Sequence, residues 1–114
     1  MDTENRINSF LEMVIKQNGS DLHLVSGNPP RMRLQGDIYP IKYRELDTEE
    51  TMELLTEIMP EHKRKEFENK NSIDFTYEVS SLSTFRVNVF RHVRGVVAVS
   101  WILRYNIKTM YEPK

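Results

Sequence analysis

The 114-residue sequence carries 16 lysines and arginines against 17 aspartates and glutamates, a formal net charge of −1, and no cysteine. That length fits one domain, and 39% apolar with 10% aromatic residues is enough for a core, which excludes a wholly disordered chain. The composition also excludes a disulfide framework and thiolate metal sites, and gives no global attraction to nucleic acid.

No apolar run approaches the roughly 18–20 residues needed to cross a bilayer. Met1-Asp2-Thr3-Glu4-Asn5 lacks the basic start and apolar stretch of a secretory signal. A cytoplasmic, soluble protein is expected.

The first predicted element is a helix. Ile7, Phe10, Leu11, Val14 and Ile15 recur at i, i+3, i+4, i+7 and i+8, one apolar stripe. Asp2 or Thr3 is expected to cap its start, and Asn18-Gly19 to end it, with Gly19 in the left-handed conformation. A strand over Ser20–Ser26 follows, with Leu22 and Leu24 on one side and His23 and Val25 on the other. Gly27-Asn28-Pro29-Pro30 forces a turn. Arg31–Leu34 and Ile38–Ile41 then read as a small hairpin about Gln35-Gly36-Asp37, with Arg31 and Arg33 outward.

Asp47-Thr48-Glu49-Glu50 has the form of a capping box opening a second helix. Its apolar stripe is expected to be Met52, Leu55, Ile58 and Met59. Pro60 breaks that helix and opens a third over Glu61–Asn69, where Phe67 is the anchor among charged residues. Lys63-Arg64-Lys65 reads as a solvated face balanced by Glu61, Glu66 and Glu68.

Ser72–Glu78 alternates, with Ile73, Phe75 and Tyr77 inward. The most β-branched stretch comes last. Thr84–Val93 alternates Phe85, Val87 and Val89 with Arg86 and Asn88. After a turn near His92–Gly95, Val96–Leu103 has scarcely a polar residue. Such a run predicts a strand buried on both faces, with Trp101 in the core. From Leu82 to Lys114 there are six basic residues, Arg86, Arg91, Arg94, Arg104, Lys108 and Lys114, and one acidic, Glu112. Arginines at strand positions suggest an anionic partner, a protein surface or a phosphate. Arg86 is expected to stand with Asn88, free for such a partner or paired with Asp74 or Glu78. The segment 105–114 is irregular and reads as a linker or tail.

The order α-β-β-β-α-α-β-β-β predicts an α+β domain with an antiparallel sheet of about six strands. No catalytic constellation is evident. The glycines are Gly19, Gly27, Gly36 and Gly95, and none precedes a lysine, so the phosphate loop of a nucleotide hydrolase is missing. Asp21 and His23 share one side of a strand and are expected to be structural, and His62 and His92 lie apart from them.

Several of these residues occur together in a known family. Gly19-Ser20-Asp21-Leu22-His23-Leu24, Gly27, Pro29-Pro30, Arg33 and Gly36-Asp37 resemble the N-terminal domain of type IV pilus retraction (twitching motility) ATPases of the PilT and PilU type. So do Ile58-Met59, Arg64-Lys65-x-Phe67-Glu68, Asp74-Phe75-Thr76-Tyr77, Phe85-Arg86-Val87-Asn88-Val89-Phe90 and Asn106-Ile107-x-Thr109. The resemblance covers nearly the whole chain in order. It implies a PAS-like fold over 1–104, with 105–114 the start of a linker to a RecA-like ATPase domain. In the family six chains form a ring that binds ATP and Mg, works at the inner-membrane pilus platform, and packs each N-terminal domain on a neighbour's ATPase domain.

The resemblance further implies that arginines of the last hairpin reach the nucleotide phosphates. Arg86 matches the first of them. Trp101 stands where a second arginine is usual, Arg104 where a proline is usual, and Thr84 where an arginine precedes the phenylalanine. Arg86, with Arg104 as a substitute for the second, is thus the expected phosphate contact. The chain itself is expected to be a non-catalytic coupling domain that binds no nucleic acid. The alternatives are a stand-alone regulatory or interaction module, a small-ligand sensor or a nucleic-acid binder.

Overall fold

Three helices and six strands follow the predicted order: α1 (Ile7–Lys16), β1 (Asp21–Val25), β2 (Arg31–Leu34), β3 (Asp37–Pro40), α2 (Thr48–Ile58), α3 (Glu61–Asn69), β4 (Ser72–Val79), β5 (Ser83–His92) and β6 (Gly95–Leu103). The computed structural model describes residues 5–80, 82–93 and 95–103. All strand pairs are antiparallel, and the sheet order is β3-β2-β1-β6-β5-β4. The expected α+β class and six-stranded sheet are what the chain forms.

The helices cover one face of this sheet. Their apolar sides meet Leu22 and Leu24 of β1, Phe85, Val87 and Val89 of β5, Ile73 and Phe75 of β4, and Val96 and Ala98 of β6, all buried. Phe85 lies at the centre with no exposed surface. Strand alternation puts the intervening residues on the opposite face, over which none of the described helices lies.

Three local expectations are corrected, and one falls outside the described residues. Asn18, with φ 61°, takes the left-handed position after α1; asparagine tolerates it because its short polar side chain bonds locally. Gly19 is instead required for close approach: a Cβ there would lie 2.9 Å from the Arg33 carbonyl oxygen and 3.0 Å from Val14 Cγ1. The capping residues proposed for α1, Asp2 and Thr3, lie outside the described residues, and Arg6 precedes its first turn without a side-chain cap. The buried stripe of α2 is Thr51, Leu54, Leu55 and Ile58. Leu55, Ile58 and Met59 are buried as expected, whereas Met52 is only partly buried: the i, i+3, i+4, i+7 stripe starts one residue earlier, at Thr51.

The third correction concerns β6. Its burial alternates along the strand. Ala98 and Ser100 are buried beneath the helices, whereas Trp101 is 39% exposed on the other side. Valines at 97 and 99 give the sequence its unbroken apolar character, but they stand on the open face, only partly buried. The capping box of α2 forms as expected, with Asp47 Oδ1 accepting from the Glu50 N–H at 2.8 Å and Glu50 Oε1 accepting from the Asp47 N–H at 3.3 Å.

Candidate functional site

Cross-strand register arranges the open face in rows. Arg33, Asp21, Trp101, Arg86 and Thr76 lie side by side on β2, β1, β6, β5 and β4. Arg31, His23, Val99, Asn88 and Asp74 form the next row. Val25, Val97, Phe90 and Ser72 form a third on β1, β6, β5 and β4.

In the first row Arg86 stands beside the central Trp101. Its side chain is 58% exposed, and Nη2 lies 3.7 Å from Asp74 Oδ1, itself 51% exposed. A pair this wet contributes little. The guanidinium carbon sits 5.9 Å from the centroid of the Trp101 ring, a cation–π contact worth about 0.5 kcal/mol at an exposed site. Asp74 also accepts from Asn88 Nδ2 at 3.0 Å. Arg86 is therefore steered by an indole and a carboxylate, and its donors remain open to solvent. The expected pairing with Asp74 is present, and Asn88 is beside it as the alternation required.

Asp21 differs from its neighbours. Although it stands on the open face, it is 3% exposed. Ser20 Oγ and His23 Nε2 both hydrogen-bond its carboxylate, and Arg33 Nε lies 3.5 Å from Oδ1. A buried carboxylate persists only when its lone pairs are met. The Ser-Asp-His run is thus a local clasp along β1, and Arg33 ties its carboxylate to β2. Its hydroxyl faces the carboxylate, not the imidazole, so it lacks the order of a nucleophilic triad.

Of the other basic residues of the last hairpin, Arg91 does not face an anionic partner. Arg91 lies on the helix side. Its guanidinium stacks 4.1 Å from the Phe67 ring centroid and donates to the Phe67 carbonyl at 2.9 Å, so it fastens α3 to the sheet. Its parity with Phe85, Val87 and Val89 was the available signal. Arg104, the second expected phosphate contact, and Arg94 lie outside the described residues, as does the segment 105–114. Thr84 shares the face of Arg86 and sits opposite Leu103. His62 and His92 are far from the Asp21 clasp in the chain, and no group of three or more potential metal ligands occurs among the described residues. No described helix is long and apolar enough to cross a membrane.

Among the described residues the chain is a six-stranded antiparallel sheet with three helices on one face and an exposed arginine and tryptophan on the other. Sequence and fold comparisons then agree on where such a domain occurs: the chain is similar to the N-terminal region of PilT-type pilus retraction ATPases. It is 38% identical over 106 residues to the type IV pilus retraction ATPase PilT of Pseudomonas aeruginosa, covering 93% of this chain and 31% of that protein. It is 30% identical over 105 residues to the type IV pilus ATPase PilU of the same organism, covering 92% and 28%. A twitching motility protein of Neisseria gonorrhoeae is 32% identical over 85 residues, covering 75% and 23%. No family model matches the chain.

Among solved structures, the pilus retraction motor PilT with bound ADP superposes with a TM-score of 0.80 at 33% identity, over 88% of this chain and 29% of that one. The Legionella pneumophila ATPase DotB superposes with a TM-score of 0.72 over 85% of this chain and 28% of its own, at 24% identity, a likeness of fold. The chain thus spans under a third of the length of the relatives it matches.

Proposed function

We propose that this chain is the non-catalytic N-terminal domain of a hexameric pilus-retraction or secretion motor ATPase. In this reading residues 1–104 form the domain and 105–114 begin the linker to a RecA-like ATPase domain. The domain packs on the ATPase domain of the neighbouring subunit in the ring, and its movement couples ATP turnover to work at the inner-membrane pilus platform. The observation that carries the reading is Arg86: a guanidinium on the uncovered face, oriented by Trp101 and Asp74 but with free donors. Such a group adds charge to a phosphate only when another domain brings the metal and the phosphate loop. ATP and Mg therefore belong to the parent, with Arg86, and secondarily Arg104, as the contributions of this segment.

The reading frame beyond Lys114 tests the proposal directly: Gly-x-x-x-x-Gly-Lys-Ser/Thr should follow. In the assembled motor Arg86→Ala should lower ATP turnover while leaving the thermal midpoint unchanged. Unchanged turnover removes Arg86 from the site. The second reading, a stand-alone regulatory module derived from this domain, is favoured by one observation, the replacement of the second arginine by Trp101; a stop codon directly after Lys114 would select it.

A further inference from the structure

Two neighbours of Arg86 act on its guanidinium in opposite senses. Trp101 pairs with it directly across β5 and β6, and the indole centroid lies 5.9 Å from the guanidinium carbon. Asp74 stands on the other side, on β4, with Oδ1 3.7 Å from Nη2. We infer that these two residues set the phosphate affinity of Arg86 from either side. Trp101 is a positioning residue that raises the affinity, and Asp74 is a counter-charge that a phosphate must displace. The inference deepens the motor reading and rests on it, since it concerns the same arginine.

The two partners hold the cation by different chemistry. A ring face attracts a cation through its quadrupole and uses none of its N–H donors. The indole thus limits where the guanidinium goes, yet leaves the planar fork free for the two parallel bonds that a phosphate accepts. A carboxylate competes for those same donors and repels the phosphate. At 3.7 Å the Asp74 contact is one of charge and not a hydrogen bond, and both side chains are more than half exposed, so it is weak enough to be displaced.

Asp74 is nevertheless held in place, because its Oδ1 accepts from Asn88 Nδ2 at 3.0 Å. The other cross-strand neighbour of Arg86, Thr76, is uncharged, as are Thr84 and Asn88 along β5. Asp21, the acid of the same row, is buried and engaged by Ser20, His23 and Arg33. Among the described residues no other carboxylate, Glu78 included, pairs with Arg86. Asp74 is therefore the acid that an incoming phosphate meets there.

The test is the affinity of the full-length motor for a non-hydrolysable ATP analogue with magnesium, measured by titration calorimetry beside ATP turnover. Asp74→Asn keeps an acceptor for Asn88 and removes the charge, and should tighten binding roughly two- to fivefold, the range of an exposed ion pair. Trp101→Leu keeps apolar bulk and removes the ring, and should weaken binding by roughly the same factor, with Trp101→Phe recovering part of the loss. In the Arg86→Ala background neither change should alter affinity, because each acts through the guanidinium. Misfolding would lower the number of sites and not the affinity of those that remain, and circular dichroism checks that each variant is folded. If Arg86→Ala changes neither affinity nor turnover, the motor reading falls and this inference with it. If Arg86→Ala changes turnover without affinity, if Asp74→Asn fails to tighten binding, if Trp101→Leu fails to weaken it, or if either effect survives in Arg86→Ala, this inference is overturned and the motor reading stands.

Discussion

At Gly95 the chain turns from β5 into β6 with φ +146°, and a Cβ there would lie 2.0 Å from Ser26 Oγ and 2.8 Å from Thr48 Oγ1. Ser26 Oγ is not free to retreat, since it accepts from the Val96 N–H at 2.9 Å. Gly95→Ala combines a backbone penalty with a clash, and is expected to destabilise by about 2 kcal/mol in urea unfolding. Arg91 makes a comparable case from the opposite cause. Its planar fork both stacks on Phe67 and bonds the Phe67 carbonyl, a pairing that an ammonium cannot reproduce. Arg91→Lys should lower stability by about 1 kcal/mol, and amide exchange should show α3 opening before the sheet. Equal protection loss throughout would show that Arg91 does not act through α3.

The helices are held by a few polar joints as well as by their apolar sides. Tyr77 Oη donates to Asn8 Oδ1 at 2.6 Å, joining β4 to α1, and Arg6 reaches Glu57 and Glu53 at 3.1 and 3.5 Å, joining α1 to α2. At the start of α2, Asp47→Ala removes the acceptor for the Glu50 N–H and should cost about 1 kcal/mol. Glu50 is held below the ordinary carboxylate range by the hydrogen bond from Arg44, then by the bond from the Asp47 backbone. A carboxylate with a depressed folded pKa contributes stability that is present above its unfolded pKa and is lost as pH falls through the folded one. The wild-type thermal midpoint should therefore decline on acidification below the usual glutamate range. Glu50→Gln, which keeps an acceptor but no charge, should flatten a small part of that decline, since the pair is exposed and screened. An unaltered acid limb would show that Glu50 carries no pH-linked stability.

Across the whole molecule, the element order and the core face were legible because alternation and helical periodicity are local signals. Leu22, Leu24, Phe85, Val87 and Val89 could be placed inward from sequence alone, and so could the outward turn of Arg86. What the sequence hid was the number of layers. An unbroken run of valines in β6 reads as a doubly covered strand, yet only the position of the helices decides which faces are covered. The small residues Ala98 and Ser100 were the usable sign, since they mark where a helix packs close, and they leave Trp101 by parity on the other side. The same gap concealed the docking surface, because rows such as Arg33–Asp21–Trp101–Arg86 exist only once four strands are in register. A one-sided core makes a sharp energetic prediction. Phe85 and Ile102 pair across β5 and β6 on the covered face, Arg86 and Trp101 beside them on the open one. Phe85→Ala empties a site with no exposed surface and should cost about 4 kcal/mol, enough to unfold much of a marginal domain. Trp101→Ala, a larger truncation one strand away, should cost at most about 1 kcal/mol in the monomer, because the indole's outer surface is already wet. Urea unfolding of both variants under dilute conditions decides the matter. If Trp101→Ala proved as costly as Phe85→Ala, the indole would be part of a second core and the face it stands on would not be open.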